Sequence, residues 1–308
     1  MILSGREMPL AGKERHRRHN DRMGGTGLRR RENFPVASLL CPPALRVPIR
    51  ALYRYARVAD DLADEGETTA EARRRQLATY REALHAAAAG QVGPHWPAVF
   101  LPLAEAIVAH RLPIGLLEDL LDAFVQDTFG AGFADRAELL DYCRRSANPV
   151  GRLLLHLHGI DAPEALIRSD AICSALQLIN FWQDLGADLP RGRCNLPRED
   201  MARHGVTPQM LAAGRDTDRT RALLRELGAW AVTLLAEGAP LVRQVDGRMG
   251  WELRLVVQGG RRVAEKTAAQ GWSTLSRRPA LGALDWILMA MRALAMRPDR
   301  IAAGWRAA

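Results

Sequence analysis

The sequence predicts an all-α protein, and three features carry that expectation. Ala, Leu and Arg dominate while aromatic residues make up only 6% of the chain, a balance that favours helix over sheet. The long runs rich in Ala, Leu and Arg lack the apolar–polar alternation of half-buried strands. No Gly/Ser linker and no fixed repeat divides residues 32–296, so a single helical domain is expected over 32–300.

Ahead of that domain lies a basic tail. Residues 1–31 hold nine Lys/Arg against three Asp/Glu, so they carry +6 of the chain's net +8. Such a Gly/Arg/His-rich stretch reads as disordered. The remaining residues carry only +2, which argues against a nucleic-acid-binding protein. The tail is expected to be a solvated extension, with contact to anionic lipid as its alternative role.

The elements then follow in order. Glu32–Pro43 is a lead-in punctuated by Pro35, Pro42 and Pro43. Pro48 suits the first turn of a helix that runs through Asp64 and ends near Gly66. Thr68 or Thr69 caps the next helix, which reaches about Gly90, and 93–97 is a turn cluster. Further helices are expected at 98–111, 114–129, 135–158, 163–189, 207–213, 217–245, 249–271 and 278–296. Even Trp286–Met296 is not a membrane span, being flanked by Asp285 and broken by Arg292. Cys41, Cys143, Cys173 and Cys194 show no paired spacing, so neither a zinc site nor a disulfide framework is indicated. No apolar segment follows the basic N-terminus as in a secretory signal. A cytoplasmic location is expected, with a peripheral place at the inner membrane face as the alternative.

Two stretches carry chemistry. In Ala51-Leu-Tyr-Arg-Tyr-Ala-Arg-Val-Ala-Asp-Asp-Leu-Ala-Asp64, the helical turn of about 100° per residue sets Asp60, Asp61 and Asp64 on one face. Three like charges repel there, near a helix end whose dipole also disfavours anions. A divalent cation would neutralise them, and carboxylates are what Mg²⁺ prefers. In Gln177-Leu-Ile-Asn-Phe-Trp-Gln-Asp-Leu-Gly-Ala-Asp188, the steps from Gln177 to Asn180, Asp184 and Asp188 form one polar stripe on an otherwise apolar helix. A buried ridge of this kind lines a cavity, because each group must find a partner. One Asp pair alone is more often a solvated helix face; two together point to metal and diphosphate. Arg57, Arg191 and Arg193 form either surface ion pairs of little worth or a diphosphate clamp suited to the guanidinium fork. His156 and His158, two apart on a helix, face apart and form no metal site. The seven tryptophans read as packing residues.

Three motifs now fix a resemblance: Tyr53-x3-Arg57-x2-Asp60-Asp61-x2-Asp64, Tyr142-x8-Gly151, and Gln177-x2-Asn180-x3-Asp184-x3-Asp188-x4-Arg193. The chain resembles the squalene/phytoene synthase family from about Glu32 to Leu294. The resemblance implies the isoprenoid synthase fold, one helical bundle around a central active-site cavity. It implies that Asp60, Asp61, Asp64, Asp184 and Asp188 bind two or three Mg²⁺ ions. Asn33, Arg57, Arg193 and Gln177 would contact the substrate diphosphate, and Phe34 would line the cavity. Tyr53, Tyr142, Asn148 and Asn180 are the implied catalytic residues. Asn195 departs from the tyrosine common in relatives, which touches any role borrowed from that tyrosine but not the diphosphate site.

The phrases Glu32–Ser38, Ala123–Asp127, Ser146–Gly151 and Asn180–Asp184 are most similar to the hydroxysqualene synthase branch of hopanoid biosynthesis. That branch converts presqualene diphosphate and water to hydroxysqualene and diphosphate. Tyr142, Asn148 and Asn180 are then candidates for holding the water. NADPH is not expected, since no G-x-G-x-x-G is present. The implied partners are the isoprenoid diphosphate, a peripheral membrane contact and other hopanoid-pathway enzymes, with no nucleic acid. Two rival readings stand beside this one: head-to-head condensation of two prenyl diphosphates, and a non-catalytic assembly protein on the same fold.

Overall fold

A computed structural model describes residues 41–65, 68–302 and 305. Asn33, Phe34 and the tail 1–31 lie outside these residues. Thirteen α-helices and no strand occur among the described residues: α1 Arg46–Asp64, α2 Ala70–Ala88, α3 Pro97–His110, α4 Ile114–Asp127, α5 Arg136–Ser146, α6 Asn148–Leu157, α7 Pro163–Gln183, α8 Leu185–Asp188, α9 Arg198–Arg203, α10 Pro208–Ala212, α11 Asp218–Gly238, α12 Gly247–Ala269 and α13 Ala283–Leu294.

Local chemistry starts several of them. Thr69 Oγ1 accepts from the Ala72 amide at 3.2 Å and opens α2. Asp135 Oδ1 accepts from the Glu138 amide at 2.8 Å and opens α5, and Thr217 and Thr220 form a capping box for α11. Each satisfies amides that have no partner within the helix.

Several expected boundaries are corrected. The continuous helix expected at 135–158 is two helices broken at Ala147. Pro149 lacks an amide hydrogen and its ring would clash with the carbonyl four residues back. The helix expected at 163–189 stops at Gln183, because Asp184 takes φ −98°, ψ 3° before α8 resumes. The stretch 217–245 ends as α-helix at Gly238 and tightens to a 3₁₀ turn over Ala239–Arg243, where Pro240 acts as Pro149 does. The last helix starts at Ala283 rather than 278, and α9 was not expected at all.

Two apolar clusters hold the helices. In the first, Tyr80 stacks on Tyr55 at 5.4 Å and packs on Phe100 at 4.8 Å. The Tyr80 hydroxyl donates to the Tyr55 carbonyl at 3.1 Å, and the Tyr55 hydroxyl donates to the Leu117 carbonyl at 3.0 Å. These bonds tie α1 to α2 and α4. The second cluster joins α7 to α11 and α12 through Leu178, Trp182, Leu227, Val232, Val257 and Val263. Between them lies a cavity of about 400 Å³ lined mostly by apolar side chains of α1, α4, α6, α7 and α12. Gly151 sits at the α6–α7 crossing, where a Cβ would strike Ser169 Oγ and, at 2.6 Å, Cys173 Sγ.

Candidate active site

α1 and α7 both run toward the same end of the cavity and carry their aspartates past it. Tyr53 and Ala56 of α1 and Leu176 of α7 line the cavity wall. Asp60 and Asn180 each lie one turn beyond. What joins the two segments is Arg193: its guanidinium is ion-paired with Asp64, and it faces the carboxylates of Asp127 and Asp188 as well. On α1, Arg57 pairs with Asp60 at 3.2 Å and with Asp61 at 2.7 Å. Burial pushes the Asp61 carboxyl above its ordinary range, with Arg57 opposing.

Sequence reasoning missed two members of this cluster. Asp127, the last residue of α4, accepts from the Tyr142 hydroxyl at 3.1 Å. Burial pushes its carboxyl up to about 7; Asp64 and Asp60 add to the shift, while the Tyr142 bond and Arg193 oppose it. In the sequence Asp127 belongs only to the phrase Ala123–Asp127 that carries the resemblance, and a lone acid has no periodic signal. Arg278, ahead of α13, is bonded to Asp184 from 94 residues away. Its loop is strapped down: Gln183 Nε2 donates to the Pro279 carbonyl at 2.7 Å, and Asp216 accepts from the Leu275 and Ser276 amides at 3.2 and 3.1 Å. Gly186 permits the approach, since a Cβ there would strike the Leu275 carbonyl.

The remaining expected residues are distributed unevenly. The stripe of Gln177, Asn180, Asp184 and Asp188 is not one helix face, as the break at Asp184 divides it. Asp188 is buried, Gln177 half-buried and Asn180 exposed. Tyr142 is buried between Phe133 and Phe181, with ring centroids 5.2 and 6.0 Å away. Asn148 is buried but does not line the cavity. With its NH₂ turned to the surrounding acceptors, it donates to Ser174 Oγ at 2.9 Å, the Asp170 carbonyl at 3.2 Å and the Cys143 carbonyl at 3.3 Å. That amide is spent on joining α5, α6 and α7.

Asp60, Asp61, Asp64, Asp127, Asp184 and Asp188 outnumber Arg57, Arg193 and Arg278 two to one. A set of oxygen donors with excess negative charge suits Mg²⁺. Yet among the described residues no three acidic, histidine or cysteine side chains converge as a formed metal site. Instead the arginines take up the carboxylates in ion pairs that a cation and an anionic ligand could exchange together.

Residues 28–285 match the squalene/phytoene synthase family. The chain is 32% identical to a hydroxysqualene synthase of Sinorhizobium fredii over 90% of its own length and 92% of that protein's. It is 29% identical to a presqualene diphosphate synthase of Zymomonas mobilis, covering 84% and 89%. The crystal structure of squalene synthase HpnC from Alicyclobacillus acidocaldarius superposes with a TM-score of 0.71 at 34% identity, over 77% of this chain and 88% of that one.

Proposed function

The chain belongs to the squalene/phytoene synthase family, and on that premise we propose that it ionises presqualene diphosphate with Mg²⁺ and lets water capture the cation, giving hydroxysqualene and diphosphate. Its fold is the isoprenoid synthase fold, and it is an enzyme acting on prenyl diphosphates. One observation carries the finer reading: Arg193 closes an acid–arginine cluster over the end of an apolar cavity.

Arg57, Arg193 and Arg278 exchange their carboxylate partners for diphosphate oxygens, which gives preorganised donors where negative charge develops. Asp60, Asp61, Asp64, Asp184 and Asp188 would hold Mg²⁺, which when bound neutralises the leaving diphosphate. Leu52, Leu120, Leu176 and Leu253 keep the cavity wall apolar, so stray water is excluded. Tyr53 offers an aromatic face to the cation. Water capture forms one C–O bond and releases one proton. Asp127, poised near 7 and bonded to Tyr142, is the group suited to take it up. Asn180 and Tyr142 are the candidates for placing the water, while Asn148 acts as a positioning residue.

The test is incubation with presqualene diphosphate and Mg²⁺ in ¹⁸O-water without NADPH, read by mass spectrometry. Hydroxysqualene with one heavy oxygen is expected. Squalene formed only when NADPH is added would overturn the water-capture reading. A condensing activity would show itself as turnover of farnesyl diphosphate alone.

A further inference from the structure

α13 is inverted relative to an ordinary surface helix. Its charged residues face inward: Asp285 is buried against Arg262 at 2.7 Å and Lys266 at 2.6 Å, and Arg292 pairs with Glu265 at 2.8 Å. Its outward face is apolar throughout. Leu284 is 81% exposed, Ile287 57%, Met291 55% and Leu294 70%, and the steps of three, four and three place them on one stripe. Ala290 and Trp286 border that stripe and are exposed too. A helix packed only for water would show the opposite arrangement.

Charge narrows the occupant. Residues 243–308 hold twelve Lys/Arg against five Asp/Glu, whereas residues 32–242 hold 22 against 27. Arg277, Arg297 and Arg300 are exposed on the segments flanking α13. A second copy of the chain fits poorly. Twelve residues make a helix about 18 Å long; at these exposures its four stripe residues and Trp286 present roughly 600 Å² of accessible surface, short of the about 800 Å² per partner of a stable dimer. Nor can 18 Å cross a bilayer core of about 30 Å. We infer that the α13 face docks on an anionic phospholipid surface, lying in the interface with Ile287, Met291 and Leu294 inserted. The docking does not depend on which reaction of the family the enzyme performs.

Co-sedimentation with phosphatidylcholine vesicles, with and without about 30% phosphatidylglycerol, tests this. The full chain is expected to bind the anionic vesicles and to be released by high salt. Replacing Ile287, Met291 and Leu294 together by Gln should weaken that binding by about tenfold or more, leaving turnover of detergent-dispersed substrate unchanged. Should the triple variant fail to fold, brominated lipids serve instead: they should quench the parent's fluorescence, and Trp286→Phe should remove most of the quenching. Unchanged binding by the triple variant overturns the inference, as does quenching that survives Trp286→Phe. A parent dimer that the triple variant dissolves would assign the face to a second copy. Loss of binding on deleting residues 1–31, with the triple variant still bound, would assign the contact to the tail.

Discussion

The Tyr142 hydroxyl donates to Oδ2 of Asp127 at 3.1 Å, across the junction of α4 and α5 and behind the carboxylates of α1. Burial holds that carboxyl at about 7 against an ordinary 3.8. Between those values the folded state keeps a proton that the unfolded chain releases. Stability therefore falls as pH rises through this window. In the metal-free protein, Asp127→Asn should equal the parent near pH 4 and exceed it in melting temperature at pH 8. It should also cut turnover by about tenfold or more, as expected for a proton acceptor. Parallel melting curves for the two proteins would contradict the assignment.

Asp60→Ala and Asp184→Ala should each lower kcat by about 100-fold or more, the scale of losing one preorganised electrostatic contact. Helical circular dichroism should be preserved, since both side chains are partly exposed. EDTA should abolish turnover and Mg²⁺ restore it. A variant of either aspartate with full activity would remove that residue from the site.

Gly186→Ala should damage activity without touching a charged residue. The added Cβ collides with the Leu275 carbonyl, so the loop carrying Arg278 must shift. Overpacking of this kind costs about 1–3 kcal/mol. The kinetic signature should be a raised KM for the diphosphate substrate, matched by Arg278→Ala. If Gly186→Ala lowers stability but leaves KM at the parent value, Arg278 does not serve the diphosphate.

Arg136→Ala tests stability away from the site. Its guanidinium bonds Asp200, which is only 2% exposed, at 2.7 Å and Glu226 at 2.5 Å, and lies over the Trp230 ring at 5.0 Å. Removing it leaves Asp200 to Arg203 alone, a loss of about 3 kcal/mol. Denaturant unfolding should show this loss with kcat unchanged. The effect should shrink in acid, where Glu226, which its bond to His204 chiefly holds down at about 2, finally becomes protonated.

By itself the sequence determined that the chain is helical, where most of its helices lie, and which aspartates cluster on one helix face. Those facts rest on local quantities: propensity, capping residues such as Thr69 and Asp135, and side-chain spacing along one helix. A cluster such as Asp60, Asp61 and Asp64 is legible because its members repel within five residues of one another. The break at Asp184 was not legible, because it depends on a loop that crosses Gly186 from positions 274–279. Arg278 was hidden for the same reason, and Asp127 because a lone acid at a helix end has no period. Asn148 looked like a water ligand in sequence, yet its amide is consumed by Ser174, Asp170 and Cys143. Which side chains spend their hydrogen bonds on packing, and which keep them for a ligand, is settled only by neighbours distant in the chain. That is a property of the folded arrangement, since burial makes each polar group seek a partner wherever the fold supplies one.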